Sequence, residues 1–321
     1  MSVIHSLSLC ARVTLDLHSL NNEGTEGNQQ QTRMVHIIDQ KGQRAVVNAV
    51  SGDMFKHILV GHLVPLLEEH GQPLSEPAKR YDPDRITADA QFLGFVENHK
   101  GSNSELLTEI LTRCSLTDMA GALFVDKALP RKSCVEFGWV VGLPADGGGK
   151  PLTTTEQYFH VKYASERGGA AGGETTVGKQ PIFHRPASSG VYALICNLDV
   201  YRVGLNDITR KYVVSKPDRE KRARALLHAL AATLVKPEGA QRNTQNPHIV
   251  ACEGIVATSA TSLPAPTVSP LNDNYRDQMD GVAGVLNGIA TNGVETKRFE
   301  TLADGVKILA DIAGRLQLRG E

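Results

Sequence analysis

Residues 6–17 alternate without a break. Leu7, Leu9, Ala11, Val13, Leu15 and Leu17 fall on one side, and Ser6, Ser8, Cys10, Arg12, Thr14 and Asp16 on the other. A period of two over that length belongs to a pleated strand and to no helix. The spacing predicts a long strand with one face on a core and a polar face outward. Such a strand needs partners on both edges and an apolar layer beneath it, so the chain must build a sheet. It has the material: 321 residues, 41% apolar and 21% charged, are about two average domains' worth and enough for a core without disulfides.

The partners can be picked out along the chain. A loop rich in Asn, Gly and Gln (18–32) precedes a hairpin of Met34–Ile38 and Arg44–Val50 turning at Lys41-Gly42. Ser51 is placed to cap a helix with Phe55, Ile58, Leu59, Leu63, Leu66 and Leu67 on one face, which Pro65 should kink or end early. Residues 72–90, with Pro73, Pro77 and Pro83, read as an excursion from the core. Ser102 and Glu105 form a capping box for a helix to about Arg113.

Cys134–Leu143 is a strand candidate. Residues 142–178 hold nine glycines, too many for a buried element, and Tyr158–Tyr163 suits one arm of a protruding hairpin. Val191–Val203 reads as a central strand, Asp218–Leu234 as a helix opened by Pro217, and His248–Ala257 as a last core strand. A Pro-rich connection (263–270) and two helical patterns, about 274–289 and 302–316, follow. Without its inserts the order is β-α-β-β-α-β, so the expected class is α+β with a ferredoxin-like or RRM-like core.

Several chemistries are missing. Gly149-Lys150 is followed by Pro151 and makes no Walker A loop, and no G-x-S-x-G or H-E-x-x-H occurs. His57 and His62, five apart on a helix, point about 140° apart and would not share a metal. Cysteines 10, 114, 134, 196 and 252 contain no C-x-x-C, which reads as reduced cytosolic thiols. The most apolar run, 58–67, is interrupted by Gly61, His62 and Pro65 and is too short for a bilayer. The expectation is a cytoplasmic protein with no membrane partner, no metal and no cofactor.

A net charge of −1 excludes a uniformly basic nucleic-acid coat, so a polyanion site must come from local clustering. The helix start Ser51-Gly52-Asp53-Met54-Phe55-Lys56-His57 offers backbone N–H groups, Gly52 should let a phosphate approach, and Lys56 and His57 lie one turn on. Lys127–Lys132 adds Arg131 and Lys132, and 207–224 carries seven basic against three acidic residues. The loop 239–244, with Gly239, Gln241, Arg242 and Thr244, suits backbone cradling of a phosphate. The Gly-rich stretch 145–185 interleaves Lys150, Lys162, Arg167, Lys179, His184 and Arg185 with Tyr158, Phe159 and Phe183, a mixture that fits single-strand stacking. Each segment also describes a capped core helix, a solvated face or a plain connector.

In order, these stretches resemble the backbone subunit of type I CRISPR effector complexes (Cascade), in the DevR-type branch of the RAMP superfamily. The resemblance rests on 20–28 (LNNEGTEGN, with Asn21 and Asn22), 49–57 (AVSGDMFKH), 131–143 (RKSCVEFGWVVGL), Ser189-Gly190 with 198–204 (LDVYRVG), and the loop 239–244. It implies an RRM-like palm (1–57, 126–144 and 186–260), a mainly helical finger-like insert (58–125) and a thumb hairpin within 145–185. Residues 261–321 would then be a helical extension. It implies a ribonucleoprotein role in antiviral defence, in which copies polymerise along a CRISPR RNA that pairs with target DNA, beside other Cascade subunits. The implied RNA-binding residues are Asn21, Asn22, Ser51, Gly52, Lys56, His57, Arg131, Lys132, Lys162, Lys179, Arg185, Gly239, Gln241, Arg242 and Thr244. Related type III subunits cut RNA with an Asp after the first strand; this loop has Glu23 and Glu26 instead, so no nuclease activity is expected. The alternatives are a CRISPR RNA-processing endoribonuclease with His57 as general acid, and a DNA-binding autoregulator.

Overall fold

The computed structural model of the chain describes residues 2–145, 149–161, 182–241, 243–290 and 293–320. Strand β1, Ser6–His18, is followed by a small hairpin, β2 (Asn22–Glu26) and β3 (Gln29–Thr32), where a loop was expected. Next come β4 (Met34–Ile38), β5 (Arg44–Val50) and helix α1 (Gly52–Glu69). Three further helices are α2 (Ala90–Asn98), α3 (Asn103–Arg113) and α4 (Ser115–Ala120). The sheet resumes with β6 (Val135–Phe137), β7 (Val140–Gly142), β8 (Thr153–Val161) and the long β9 (Ile182–Leu198). Helix α5 (Lys216–Val235), β10 (His248–Ser259), α6 (Tyr275–Ile289), β11 (Val294–Phe299) and α7 (Leu302–Arg315) complete it.

The main sheet runs β11-β10-β1-β9-β7-β5-β4. Within it, β10-β1-β9-β7 is antiparallel throughout, with α1 and α5 on one face, which is the expected β-α-β-β-α-β core. β1 pairs with β9 from Ser8↔Asn197 to Leu15↔Gly190, and with β10 on its other edge. Leu7, Leu9, Ala11, Val13 and Leu15 meet Phe55, Leu59 and Leu63 of α1 and Leu226, Leu227 and Leu230 of α5.

Further expectations change. The polar face of β1 is covered rather than exposed: residues 265–273 cross beneath it, and α6 packs there. Ser8 Oγ donates to Pro266 O, Arg12 Nε donates to Pro270 O (2.9 Å), and Cys10 packs with Ile255, Ala257, Tyr275 and Met279. Leu17 leaves the alternation, with φ 55° and an exposed side chain. Pro65 does not shorten α1: it stands on the exposed side of the helix, which runs on to Glu69. The boundary drawn at 58 therefore falls inside one helix. The expected single strand 134–143 is instead two, β6 and β7, separated at Gly138-Trp139.

The insert and the tail both join the main body. Phe92, Leu107, Ile110, Leu111 and Met119 belong to the same apolar cluster as β1 and α1. In the tail, β11 adds an antiparallel edge strand to β10 (Gly254↔Phe299 to Ser259↔Val294), so residues 261–321 are not purely helical. Among the described residues, no helix is long and apolar enough to cross a membrane.

Candidate nucleic-acid interface

The N-terminus of α1 is fixed by the segment that follows β1. Ser51 has extended backbone and its Oγ accepts from Met54 N (3.2 Å), the cap the sequence called for. Ser51 N in turn donates to Asn21 Oδ1 (3.0 Å). Asn21 is held by its carbonyl, which accepts from Thr32 Oγ1; Asn48 Nδ2 donates to Thr32 Oγ1, and Tyr192 OH donates to Asn48 Oδ1. Asn21 is buried, so its side chain positions the helix tip. Asn22 begins β2, opposite Thr32.

Gly52 serves packing rather than ligand approach. A Cβ on it would lie 2.5 Å from Phe137 O and 3.1 Å from Gly138 O, so the space expected to admit a phosphate is filled by the β6 backbone. Lys56, one turn on, is half-buried, and burial followed by the nearby Arg85 guanidinium holds its ammonium below the ordinary lysine value; Asp53 and Glu136 work in the other direction. Two cations crowded beside a helix start repel one another, and an anion between them would relieve that repulsion. His57 is exposed.

The loop at 239–244 is tied to the same segment. Ala240 N donates to Leu20 O (3.1 Å), and a Cβ on Gly239 would sit 2.8 Å from Leu20 O and from Leu20 Cδ2, so only glycine allows the approach. Gln241 Nε2 donates to Gln30 Oε1 (3.2 Å) of β3. Arg185 NH1 donates to Thr244 Oγ1 (3.3 Å), with its guanidinium 4.9 Å from the Phe183 ring. Arg185, Gln241, Asn243 and Thr244 line one open cleft. A second cleft leads from Thr244 to Tyr158, Phe159 and His160 of β8, which pairs with the first half of β9 as a hairpin. Phe159 is 73% exposed, its ring 4.5 Å from that of His184, so the hairpin offers solvent a row of aromatic faces.

Other candidates lie elsewhere. Arg131 is 3% exposed and fully engaged: NH2 donates to Asp118 Oδ1 (2.7 Å) and Arg202 O (2.7 Å), NH1 to Asp207 Oδ2 (2.7 Å) and Leu205 O (2.9 Å). It is a core ion and has no surface to give to RNA, which corrects the expectation drawn from its basic neighbourhood. Lys132 is exposed but paired with Glu136 (2.9 Å). The basic run 207–224 is divided: Arg219 and Arg222 are buried, Arg222 pairing with Asp118 (2.8 Å), Lys221 pairs with Asp218 and Arg224 with Glu220, while Arg210, Lys211 and Lys216 are exposed. Lys162, Lys179 and Arg242 lie outside the described residues. Sequence reasoning passed over Arg85 and Tyr81, since the proline-rich excursion around them looked remote from the core; Pro77 and Pro83 were the available signal of a rigid loop.

A β10-β1-β9-β7 sheet backed by two helices and carrying a hairpin and a glycine loop at one site defines an α+β protein of the RRM-like class. Residues 9–280 match the family described as "CRISPR-associated negative auto-regulator DevR/Csa2", and the chain belongs to that family. It is 27% identical over 296 residues to "CRISPR-associated protein Cas7/Csa2 1" of Saccharolobus solfataricus, spanning 88% of this chain and 89% of that protein. Two solved structures share the fold at 12% identity. One, "CRISPR RNA-guided surveillance complex, pre-nicking", has a TM-score of 0.51 and covers 96% of this chain and 99% of its own; the other, "CRISPR RNA-guided surveillance complex", has 0.50, covering 96% and 98%.

Proposed function

We propose that the protein is a non-catalytic backbone subunit of a type I Cascade complex. Several copies line a CRISPR RNA and hold its spacer for pairing with target DNA. The observation that carries this reading is the meeting of three separate segments: the loop after β1, the 239–244 loop and the base of the β8-β9 hairpin, tied by Ala240 to Leu20, Gln241 to Gln30 and Arg185 to Thr244. The exposed Asn243 amide and the partly exposed Gln241 and Arg185 stand there beside the exposed rings of Tyr158 and Phe159, which suits a single strand's phosphate neutralisation and base stacking. Sequence is then read by base pairing and not by the protein. No bond-breaking step is included, since the segment after β1 has Glu23 and Glu26 in its sequence where related nucleases carry an aspartate.

The test is RNA binding to the purified protein across a salt titration, with Lys56→Ala and Arg185→Ala beside the parent. Each variant should bind more weakly, and its log–log salt slope should be shallower by about 0.7 for each phosphate that it no longer neutralises. A nucleotide-free monomer indifferent to guide RNA, or variants with unchanged affinity and slope, would overturn the proposal. So would metal-dependent cutting of complementary RNA that Glu23→Gln or Glu26→Gln abolishes.

A further inference from the structure

Beside the α1 tip lies a cavity of about 350 Å³ lined by His57, Ile58, Gly61, Tyr81, Glu238 and Gly239. His57 and Gly61 are four apart and share one face of α1. A side chain at 61 would meet nothing within 4 Å, so the missing Cβ leaves the floor of the cavity open. Tyr81 forms part of the wall from the opposite side, 44% exposed, on a backbone with φ 61°. An aromatic residue rarely adopts that left-handed conformation, and such strain persists where the surroundings enforce it, as at ligand sites. Here Tyr81 N donates to Ala78 O, Asp82 N to Pro77 O and Asp84 N to Asp82 Oδ1, a closed loop that holds the ring out.

The geometry points to this cavity as a stacking pocket for one unpaired nucleobase of the bound strand, with Tyr81 as the platform. The inference rests on the proposed RNA-binding role. A base is chosen over a phosphate because the cavity walls combine an aromatic ring and a helix face instead of converging donors, and Glu238 in the wall has its carboxylate paired with Lys236 at 2.6 Å. RNA is chosen over a protein side chain because Gly239 is shared with the loop that approaches Leu20, and Lys56, the residue before His57 on α1, lies near the Arg85 guanidinium. Stacking on one ring tolerates any base, as a holder of variable spacers requires.

The test uses the full chain and a uridine-rich single-stranded RNA in which 2-aminopurine replaces several bases. In the parent, binding should quench the 2-aminopurine emission. Tyr81→Ala should bind roughly fivefold or more weakly and lose much of the quenching, while Tyr81→Trp should retain both. Gly61→Leu, which fills the floor from the helix side and favours the helix, should mimic Tyr81→Ala with an unchanged melting temperature. If the parent binds while Tyr81→Ala and Gly61→Leu match it in affinity and quenching, the pocket assignment is wrong and the guide-binding role stands. If the parent binds no RNA, both fail. If the variants keep RNA affinity but lose self-association in sedimentation, the cavity receives a protein side chain and the proposal is overturned.

Discussion

Replacing His18 by glutamine should flatten the acid limb of the stability curve. His18 ends β1, 2% exposed, with Tyr192 edge-on at 4.9 Å. Its Nδ1 accepts a long bond from Leu20 N (3.4 Å), and Nε2 has no partner among the described residues. Burial pushes the imidazole down from 6.5 to about 4. Between those values the unfolded chain takes up a proton that the folded chain refuses, so stability falls as pH falls, and the loss stops once the folded state also protonates. At about 1.36 kcal/mol per unit, this single site removes about 1.4 kcal/mol by pH 5.5 and about 2.6 kcal/mol by pH 4.5. That is a sizeable share of the ~5–15 kcal/mol a domain possesses. Urea denaturation of parent and His18→Gln at pH 7, 5.5 and 4.5 isolates the effect, because all other titrations cancel in the difference. The parent's advantage over the variant should shrink by about 2.4 kcal/mol between pH 7 and pH 4.5, since about 0.2 kcal/mol is already lost at pH 7. A difference constant to within about 0.5 kcal/mol, or one that grows on acidification, would refute the reasoning.

Asp118→Ala should destabilise by about 3–5 kcal/mol in urea, since it strands the buried Arg131 and Arg222 without their shared carboxylate; a loss below about 1 kcal/mol would mean water reaches the cluster. Gly239→Ala should cost about 1–3 kcal/mol and weaken RNA binding together, because its Cβ collides with the Leu20 backbone and displaces the loop. Filter binding and urea melts on the same preparation would show whether the two effects travel together.

What the residues disclosed in advance was local and periodic. The Ser51 cap, the Ser102–Glu105 capping box, the β4-β5 hairpin and the Asp218–Leu234 helix depend on neighbours a few positions apart, and each formed as expected. What stayed hidden depended on distant partners. The alternation of 6–17 reports one apolar face, but nothing in it says that residues 265–273 will satisfy Ser8 and Arg12 on the other. Arg131 looked like a surface cation because three positive charges cluster in 127–132; its acidic partners stand at 118, beyond an intervening hairpin, and at 207, far off in the chain. Gly52 suggested room for a ligand, and the occupant proved to be the carbonyl of Phe137. The convergence of Leu20, Gln30, Arg185 and Thr244 is likewise a product of the sheet, which no spacing rule contains.

The position of β1 between β9 and β10 has a consequence for synthesis. The strand leaves the ribosome well before its edge partners, which lie at 182–198 and 248–259. At about 5–20 residues per second, on the order of ten seconds to most of a minute separates its emergence from that of its last neighbour. Throughout that interval a long β-forming segment with both edges open waits beside a growing chain, and the sheet cannot close around it until residue 259 has emerged.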